Sequence, residues 1–403
     1  MHQRLILLIV CLSLNSWAQF DLRSDELEAL RTQKAQALAP ETRGAGEEKF
    51  RGYTHRPWAK ALFRSGSGFG PGIGGMVPGA GFSGGVNWRR ADLLDAQLVV
   101  SARARVSIRS YYLGELNVAL PHLFDDHAFL LFHTIHTDYA QMPYFGSGAK
   151  TERWQRTSFR LEETSVELRP GIRPIRDFTV GAIGAFRAFN IGPGASSRFP
   201  SSETRFTPVT SPGIDNQGNF WQTGAFAMYD LRKGGTQPIS GGRYLAEFSR
   251  MNDRSFNGRF SHNRIDFDGS HYLPMFHHTR TIALHGHTTL TDARADQATP
   301  FYLQPSVGGA ETLRGFRPFR FRDRNAMWFN AEYRWETSLG LDMAIFADGG
   351  KVFRDWSQLN MHDLETSYGL GFRFKARRNL VLRFDVGASR EGVGIWLRFQ
   401  NIF

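Results

Sequence analysis

A single arginine in a glycine-rich stretch is the first residue whose surroundings suggest specific chemistry. Residues 308–316 read GGAETLRGF and include Arg314, and residues 346–350 read FADGG and include Asp348. A planar guanidinium donates two parallel hydrogen bonds to a carboxylate, which makes arginine and aspartate a strong and oriented pair. The first stretch has neither helical nor strand periodicity. Its neighbouring elements must therefore determine where Arg314 lies and which carboxylate it reaches.

Other chemical patterns in the chain are weaker. His285 and His287 alternate on one face with further histidines nearby, and such a group could bind zinc or nickel. We interpret them as interior or interfacial histidines without a metal. Residues 70–75 match a dinucleotide-binding glycine pattern, but no strand precedes them and no helix follows. No G-x-S-x-G motif and no clear carboxylate dyad occur, so we predict no enzyme activity, no metal and no cofactor.

The N-terminal residues predict export. Arg4 precedes an apolar run over residues 5–14, and residues 16–18 (SWA) have the small-x-small pattern of a cleavage site. We therefore predict a secretory signal peptide over residues 1–18. The only cysteine, Cys11, falls inside it, so the exported chain is expected to form no disulfide.

Composition narrows the class of protein. The chain has 403 residues, 42 glycines and 13% aromatic residues, and its mean hydropathy is −0.36. No later run of about 20 apolar residues occurs, which excludes a helical membrane protein. The remaining classes are a soluble exported protein and an outer-membrane barrel, whose strands are apolar only at every second residue. The aromatic content favours the barrel.

The net charge of +11 does not indicate nucleic acid as a partner. The basic residues are mostly arginine and are spread along the chain rather than clustered in the sequence. Arginines that line a barrel interior, or that face lipopolysaccharide phosphates outside, explain this charge better. Arg103, Arg105 and Arg109 lie on one face of neighbouring predicted strands and are expected to line the interior.

Period-two alternation identifies the strands, most clearly at the C-terminal end. Met327, Phe329, Ala331, Tyr333 and Trp335 form an apolar face, and the residues between them are mostly charged or polar. The same template predicts sixteen strands, near 67–76, 80–89, 95–105, 107–120, 127–140, 157–170, 176–190, 219–231, 241–251, 257–271, 277–291, 326–336, 341–350, 368–375, 380–386 and 393–403.

Strand and loop lengths favour a membrane barrel over a soluble sandwich. Many predicted strands span ten residues or more, whereas strands of soluble sheets average about five or six. Long connections at 141–156, 191–218 and 292–325 alternate with short links such as 337–340, the asymmetry of outer-membrane barrels. We therefore predict an all-β fold, a 16-stranded antiparallel transmembrane β-barrel, over residues 61–403.

Residues 19–60 are predicted to form a short periplasmic segment before the barrel. Ser24 is a candidate N-cap for a short helix that extends to Leu38. Residues 40–52 are rich in glycine and glutamate and are typical of a linker.

The tetrad Leu313-Arg314-Gly315-Phe316 resembles a signature of the bacterial surface-antigen barrels. These barrels belong to the outer-membrane protein assembly and translocation superfamily, which includes the insertase of the β-barrel assembly machinery. Family members carry a V-R-G-F/Y tetrad on an extracellular loop that folds back into the lumen. Leucine replaces valine in this chain, a conservative departure.

A second motif strengthens the resemblance. Residues 346–350 are similar to the family's F-x-D-x-G motif on a barrel strand, and alternation places Phe346, Asp348 and Gly350 towards the lumen. If the loop folds inwards as the resemblance implies, Arg314 needs a carboxylate there, and we predict a pair with Asp348. Phe316 and Phe346 are expected to pack close by.

The resemblance also implies a seam between the first and last strands. Gly70, Gly72 and Gly74 would lie on the first strand, where glycine offers few side chains for packing. Phe399 and the terminal Phe403 would lie on the apolar face of the last strand. A weak seam is useful if the barrel must open sideways.

By resemblance, the expected function is insertion of proteins into the outer membrane or their translocation across it. The expected partners are outer-membrane lipid, lipopolysaccharide, client proteins and periplasmic partner proteins. Full-length members carry periplasmic POTRA domains, and residues 19–52 are too few for one, which puts POTRA-mediated recognition in doubt. A passive or gated outer-membrane pore is the alternative, and an outer-membrane hydrolase with dispersed serine and histidine is the third.

Overall fold

The computed structural model describes residues 67–399, with gaps at 96, 234–237, 277–279, 339 and 377–378. The predicted signal peptide, the predicted periplasmic segment and Phe403 lie outside the described residues. No helix in the described part is long and apolar enough to cross a membrane. Single-turn 3-10 helices lie in loops at Arg153–Gln155, Ser202–Thr204 and Trp356–Gln358.

Sixteen antiparallel strands form one continuous sheet in chain order, and a two-stranded hairpin forms a second small sheet. The strands are β1 (Gly68–Gly74), β2 (Ser83–Leu93), β3 (Leu98–Ser107), β4 (Tyr111–Leu123), β5 (Ala128–Tyr144), β6 (Thr157–Ile175), β7 (Phe178–Pro193), β8 (Asn219–Asp230), β9 (Gly241–Asp253), β10 (His262–Met275), β11 (Arg280–Asp292), β12 (Ser306–Val307), β13 (Phe321–Arg322), β14 (Asn325–Ser338), β15 (Leu341–Phe353), β16 (Glu365–Ala376), β17 (Asn379–Ser389) and β18 (Gly392–Arg398). The hairpin is β12–β13. The predicted all-β, 16-stranded antiparallel barrel is confirmed.

The clearest error in the predicted strand positions concerns β10. The prediction began near residue 257, whereas β10 begins at His262. The Asp253 carboxylate accepts hydrogen bonds from the backbone N–H groups of Ser255 and Phe260. Such local side-chain contacts compete with strand pairing, so the chain turns here before it enters the strand.

The alternation that predicted the strands separates the two faces of the sheet. On β18, Val393, Ile395 and Leu397 point outwards with 67%, 65% and 56% of their surface exposed. On β14, the inward-facing Asn330 and Glu332 are buried. An apolar exterior around a polar interior is the arrangement of a barrel in lipid. Ion pairs join inward-facing side chains of the wall, among them Arg187–Glu163, Arg169–Glu247 and Arg264–Asp266.

The first and last strands of the sheet order, β1 and β18, approach each other at one point. A methyl group added to Gly74 would lie 3.1 Å from the Phe399 ring, which follows β18. Gly72 and Gly74 are buried on the inner face of β1, and Gly70 is half-buried. Since these glycines offer no side chains for packing, the β1 edge of the barrel makes few side-chain contacts.

We expect the purified protein to migrate faster on an SDS gel when unboiled than when boiled. A barrel satisfies its backbone hydrogen bonds within the sheet and leaves detergent few places to begin unfolding. The measurement is electrophoresis of detergent-extracted outer membranes with and without heating. The membrane barrel would be contradicted if the protein were recovered from the periplasmic fraction and migrated equally fast with and without boiling.

Candidate functional site: an arginine anchored in the lumen

The long connection between β11 and β14 folds into the barrel interior, and we call residues 293–324 the inner loop. Phe301, Val307, Leu313 and Arg314 of this loop are 0% exposed. The β12–β13 hairpin gives the loop its own backbone pairing. The predicted inward-folded loop is therefore confirmed, although the sequence did not predict its hairpin.

Asp348, on β15, holds Arg314 through three hydrogen bonds. The Arg314 Nε and Nη2 atoms donate to the two carboxylate oxygens at 3.0 Å and 2.6 Å. The Arg314 backbone N–H donates to the same carboxylate at 3.0 Å. Asn330 and Ser367 donate to it as well, at 2.8 Å and 3.0 Å. The structure thus brings together the two residues that the sequence paired, and neither side chain is exposed.

Two further carboxylates, which the sequence did not single out, complete the site. Glu332 on β14 accepts hydrogen bonds from Arg314 and, at 2.9 Å, from Arg373 on β16. Asp385 on β17 lies 3.8 Å from Arg314 and 2.9 Å from Arg383, and it also pairs with Arg373. These side chains are at most 3% exposed.

Four arginines and three carboxylates therefore share one enclosed space, which we call the lumen charge cluster. Its members are Arg314, Arg334, Arg373, Arg383, Glu332, Asp348 and Asp385. Glu332 and Asp385 each contact three of the four arginines. Charges removed from water are costly unless they are paired, so this cross-pairing offsets much of the cost of enclosing them.

The aromatic residues of the two motifs have separate roles. The Phe346 ring lies beneath the Arg314 guanidinium, with its centroid 3.3 Å from the guanidinium carbon, where the ring face attracts the cation. Phe316 packs edge-to-face on Phe321 at 5.4 Å between centroids. It belongs to an apolar cluster that also contains Leu313. One side of the tetrad therefore anchors the loop by charge, and the other anchors it by apolar burial.

Glycines allow the tetrad to approach the last two strands closely. A methyl group added to Gly315 would lie 2.6 Å from the Ser389 side chain on β17, and one added to Gly394 on β18 would overlap the Arg314 carbonyl oxygen. Hydrogen bonds fix this approach, since Trp396 Nε1 donates to the Arg314 carbonyl at 2.7 Å and Ser389 Oγ donates to the Gly315 carbonyl at 2.8 Å. The tetrad is thus attached to β18, which borders the seam, and to its neighbour β17.

Trp328 packs against the apolar cluster of Leu313 and Phe316, and so connects the inner loop with the predicted histidine pair. A methyl group on Gly350 would lie 2.8 Å from Trp328 Cβ, so the glycine of the wall motif makes room for this side chain. The Trp328 ring stacks on His287 at 4.1 Å. His285 and His287 each lie 3.0 Å from one oxygen of Asp268. Within the described ranges, no group of three or more potential metal ligands is present.

The three arginines expected to line the interior do not share one location. Arg103 pairs with Glu115 inside the barrel, and Arg105 lies half-buried beside it on β3. Arg109 is exposed in the turn between β3 and β4, and it donates to the Gly79 carbonyl at 2.6 Å. The expectation for Arg109 was wrong, because β3 ends before this residue and strand alternation does not extend into the turn.

Comparisons with known proteins agree with this architecture. Residues 156–400, more than half of the chain, match the model of the Omp85 superfamily domain. Among solved structures, the chain is similar to BamA from Haemophilus ducreyi lacking POTRA domains 1–3, with a TM-score of 0.60, 14% identity, and coverage of 82% of this chain and 68% of that chain. It is also similar to CdiB from Escherichia coli, with a TM-score of 0.54, 12% identity, and coverage of 82% and 62%.

At these identities the structural likeness shows the fold, and the chain spans less than two thirds of the CdiB chain. A search of curated proteins finds no match. The family match includes both the Arg314 tetrad and the Asp348 strand. The chain belongs to the Omp85 superfamily.

Proposed function

We propose that this barrel inserts proteins into the outer membrane or translocates them across it. The observation that carries the proposal is the attachment of the inner loop to β17 and β18, next to the glycine-rich β1. Trp396 and Ser389 donate hydrogen bonds to the backbone of Arg314 and Gly315. The loop therefore holds one side of the seam in place, while β1 on the other side has few side chains to pack.

Lateral opening would expose a strand edge to a client. Unpaired N–H and C=O groups at such an edge form a template for another strand, and strand addition is a common mode of peptide recognition. β1 spans only seven residues, and all four of its inner positions are glycine. Separating β1 from β18 would then break few side-chain contacts. Folding of the client against the opened edge would supply the free energy, so the process needs neither nucleotide nor catalytic residues.

This role requires protein partners at the seam and lipid partners on the outer face of the barrel. Client proteins would contact the seam, and periplasmic partner proteins would deliver them. Lipid acyl chains would cover the exposed apolar residues of β18. Arg250, which donates hydrogen bonds to Asn252 and Asn263 on the outer face, would bind lipopolysaccharide phosphates. We also propose that the signal peptide over residues 1–18 directs export of the chain, which then reaches the outer membrane.

A gated pore is the second candidate, because a polar cavity remains in the lumen. Its volume is about 430 Å³, and its lining includes Glu163, Arg187, Arg264 and Leu303 of the inner loop. A pore would need the inner loop to move before solutes pass, because the loop is packed against the wall. Protein insertion does not require a continuous channel of this kind.

Locking the seam distinguishes the two candidates. Pairs of cysteines, one at residues 73–75 and one at residues 397–399, should form disulfides across β1 and β18 at matched registers. We expect the locked barrel to lose insertion of a client barrel into liposomes and to recover it after reduction. Solute flux in a liposome-swelling assay should stay unchanged.

A matched control ties two strands that stay paired during opening. Phe69 and Trp88 face each other across β1 and β2, so the pair Phe69→Cys and Trp88→Cys should cross-link without loss of insertion. Full activity of a seam-locked barrel would refute lateral opening. Equal solute flux through the locked and unlocked barrels, with client insertion absent from the unlocked protein, would instead identify a pore.

A further inference from the structure

Five arginines from four separate segments meet at the end of the barrel that carries the long loops. Arg109 lies in the β3–β4 turn, Arg153 and Arg156 in the β5–β6 loop, Arg198 in the β7–β8 loop and Arg317 in the inner loop. We call these five residues the arginine cluster. The sequence alone does not predict this cluster, because only the fold brings the four segments together.

Loop contacts hold the β3–β4 turn beside the inner loop. Arg109 donates to the Gly79 carbonyl at 2.6 Å. A methyl group on Gly79 would lie 3.9 Å from the side chain of Pro318, which follows Arg317 in the chain. The β3–β4 turn is thus linked through the β1–β2 loop to the inner loop.

Two further contacts add the remaining segments. Arg320 of the inner loop donates to the Thr151 carbonyl at 2.6 Å and to its hydroxyl at 3.0 Å, which fixes the segment that carries Arg153 and Arg156. The Arg156 guanidinium lies 3.9 Å above the Phe199 ring. Phe199 follows Arg198, so this stacking places the β7–β8 loop beside the other three segments.

No carboxylate side chain forms an ion pair with the arginine cluster in the part of the chain that the structure describes. Glu391 has both oxygens bonded to Arg320 Nε, at 2.9 Å and 3.0 Å. Arg153 reaches only the backbone carbonyl of Glu391, at 2.8 Å. Glu152 precedes Arg153 in the chain but pairs with none of the five arginines. The cluster therefore concentrates positive charge, and Glu391, whose charge acts on Arg317, is already bonded to Arg320.

The arginines affect one another accordingly. Burial, and then the charges of Arg317, Arg109 and Arg198, lower the pKa of Arg156 to about 10. Burial and the charges of Arg153 and Arg198 also lower the pKa of Arg317, although the charge of Glu391 acts in the opposite direction. Arg156 Nε is enclosed and has no hydrogen-bond partner. An anion at this position would relieve the repulsion and satisfy this donor.

We propose that the arginine cluster binds a multivalent anion that carries closely spaced phosphate groups. Guanidinium groups match phosphate oxygens with paired hydrogen bonds, and several cations in one place favour a ligand with several negative charges. The phosphates belong either to a lipid-borne glycan such as lipopolysaccharide or to a soluble polyphosphate. This site is independent of client insertion, because it lies in the loops and not at the seam.

The test is calorimetric titration of inorganic tripolyphosphate into the full barrel in a zwitterionic detergent. The double variant Arg156→Ser with Arg317→Ser should raise the Kd by about tenfold or more, because charge-assisted hydrogen bonds are lost. Arg198→Ser, at an exposed position, should raise it by roughly threefold. Arg254→Ser removes an exposed arginine from another loop at the same end of the barrel, and it should change the Kd less than about twofold.

The mobility of unboiled samples on a gel identifies any variant that has failed to fold. If the double variant fails to fold, the effect of Arg198→Ser on the Kd decides the test. Displacement of tripolyphosphate by purified lipopolysaccharide would assign the site to a lipid-borne phosphate, whereas no displacement would assign it to a soluble polyanion. The inference is overturned if the wild type does not bind tripolyphosphate. It is equally overturned if the Arg254 control weakens binding as much as the cluster variants do.

Discussion

Arg314→Ala is expected to release the inner loop from the lumen while the sixteen strands stay assembled. The Arg314 side chain is fully enclosed and contacts Asp348 and Glu332. Removing one partner of a buried ion pair costs about 3–5 kcal/mol. In the variant, trypsin should cut the loop after Arg320, whereas this bond should resist in the wild type, where Arg320 is buried. Client insertion should also fall, because the released loop no longer holds β17 and β18 in place.

Asp348→Ala should destabilise the wall more than Arg314→Ala does. Without Asp348, four arginines of the lumen charge cluster face two carboxylates, whereas without Arg314 three arginines face three. The measurement is the temperature at which unboiled gel mobility is lost. The double variant should be little worse than Asp348→Ala alone, because coupled residues are not additive. Arg314→Lys should also release the loop, since an ammonium cannot replace the two-pronged contact.

The matched control is Arg294→Ala, an exposed arginine in the same inner loop. It removes the same charge without touching the lumen charge cluster, so the bond after Arg320 should stay resistant to trypsin. Free cleavage after Arg320 in the wild type would contradict the anchoring role of Arg314. Additive effects of the Arg314 and Asp348 substitutions would contradict their coupling.

The strand pattern of this barrel was predictable because lipid imposes it. Each membrane-facing residue must be apolar and each neighbour faces the lumen, so alternation predicted all sixteen strands. The boundaries were less predictable where side chains bond the local backbone. Asp253 ends β9 in this way, and the sequence alone does not show that its carboxylate turns back on the chain.

The Arg314–Asp348 contact was predictable, but the surrounding charges were not. Alternation places Glu332, Arg373 and Asp385 on inner faces of the last strands. Whether they meet depends on the register between strands, which the sequence does not specify when each strand carries several inward polar residues. The register pairs Glu332 with Phe346 and Asp385 with residue 371, and so brings these charges to the level of Arg314.

The enclosure of the site raises the expected free-energy cost of breaking the Arg314–Asp348 pair. A barrel lumen filled with water would screen the Arg314 pair and reduce the cost of breaking it to about 1–3 kcal/mol. Nothing in the sequence shows that the inner loop fills the space above the pair. The observed 0% exposure of both Arg314 and Asp348 supports the larger range.

Gly394→Ala should release the inner loop as fully as Arg314→Ala, although it changes no charge. The added methyl group would overlap the Arg314 carbonyl oxygen, and Trp396 holds that oxygen at 2.7 Å, so the loop backbone has no room to move aside. Gly387→Ala on β17 should act in the same way, because its methyl group would lie 2.8 Å from the Arg314 carbonyl carbon. Trypsin cleavage of the inner loop and client insertion measure both effects.

The control for these substitutions is Gly114→Ala on β4, where an added methyl group meets no atom within 4 Å. It should leave trypsin resistance and insertion unchanged. This control shows whether Gly394→Ala acts through the clash of its methyl group or only through the reduced backbone freedom that any Gly→Ala substitution causes. Combining Gly394→Ala with Arg314→Ala should add little, because either change alone already undocks the tetrad. If Gly394→Ala leaves the loop protected while Arg314→Ala exposes it, the charge pair alone positions the loop. In that case the close approach of the tetrad to β18 has no part in holding it.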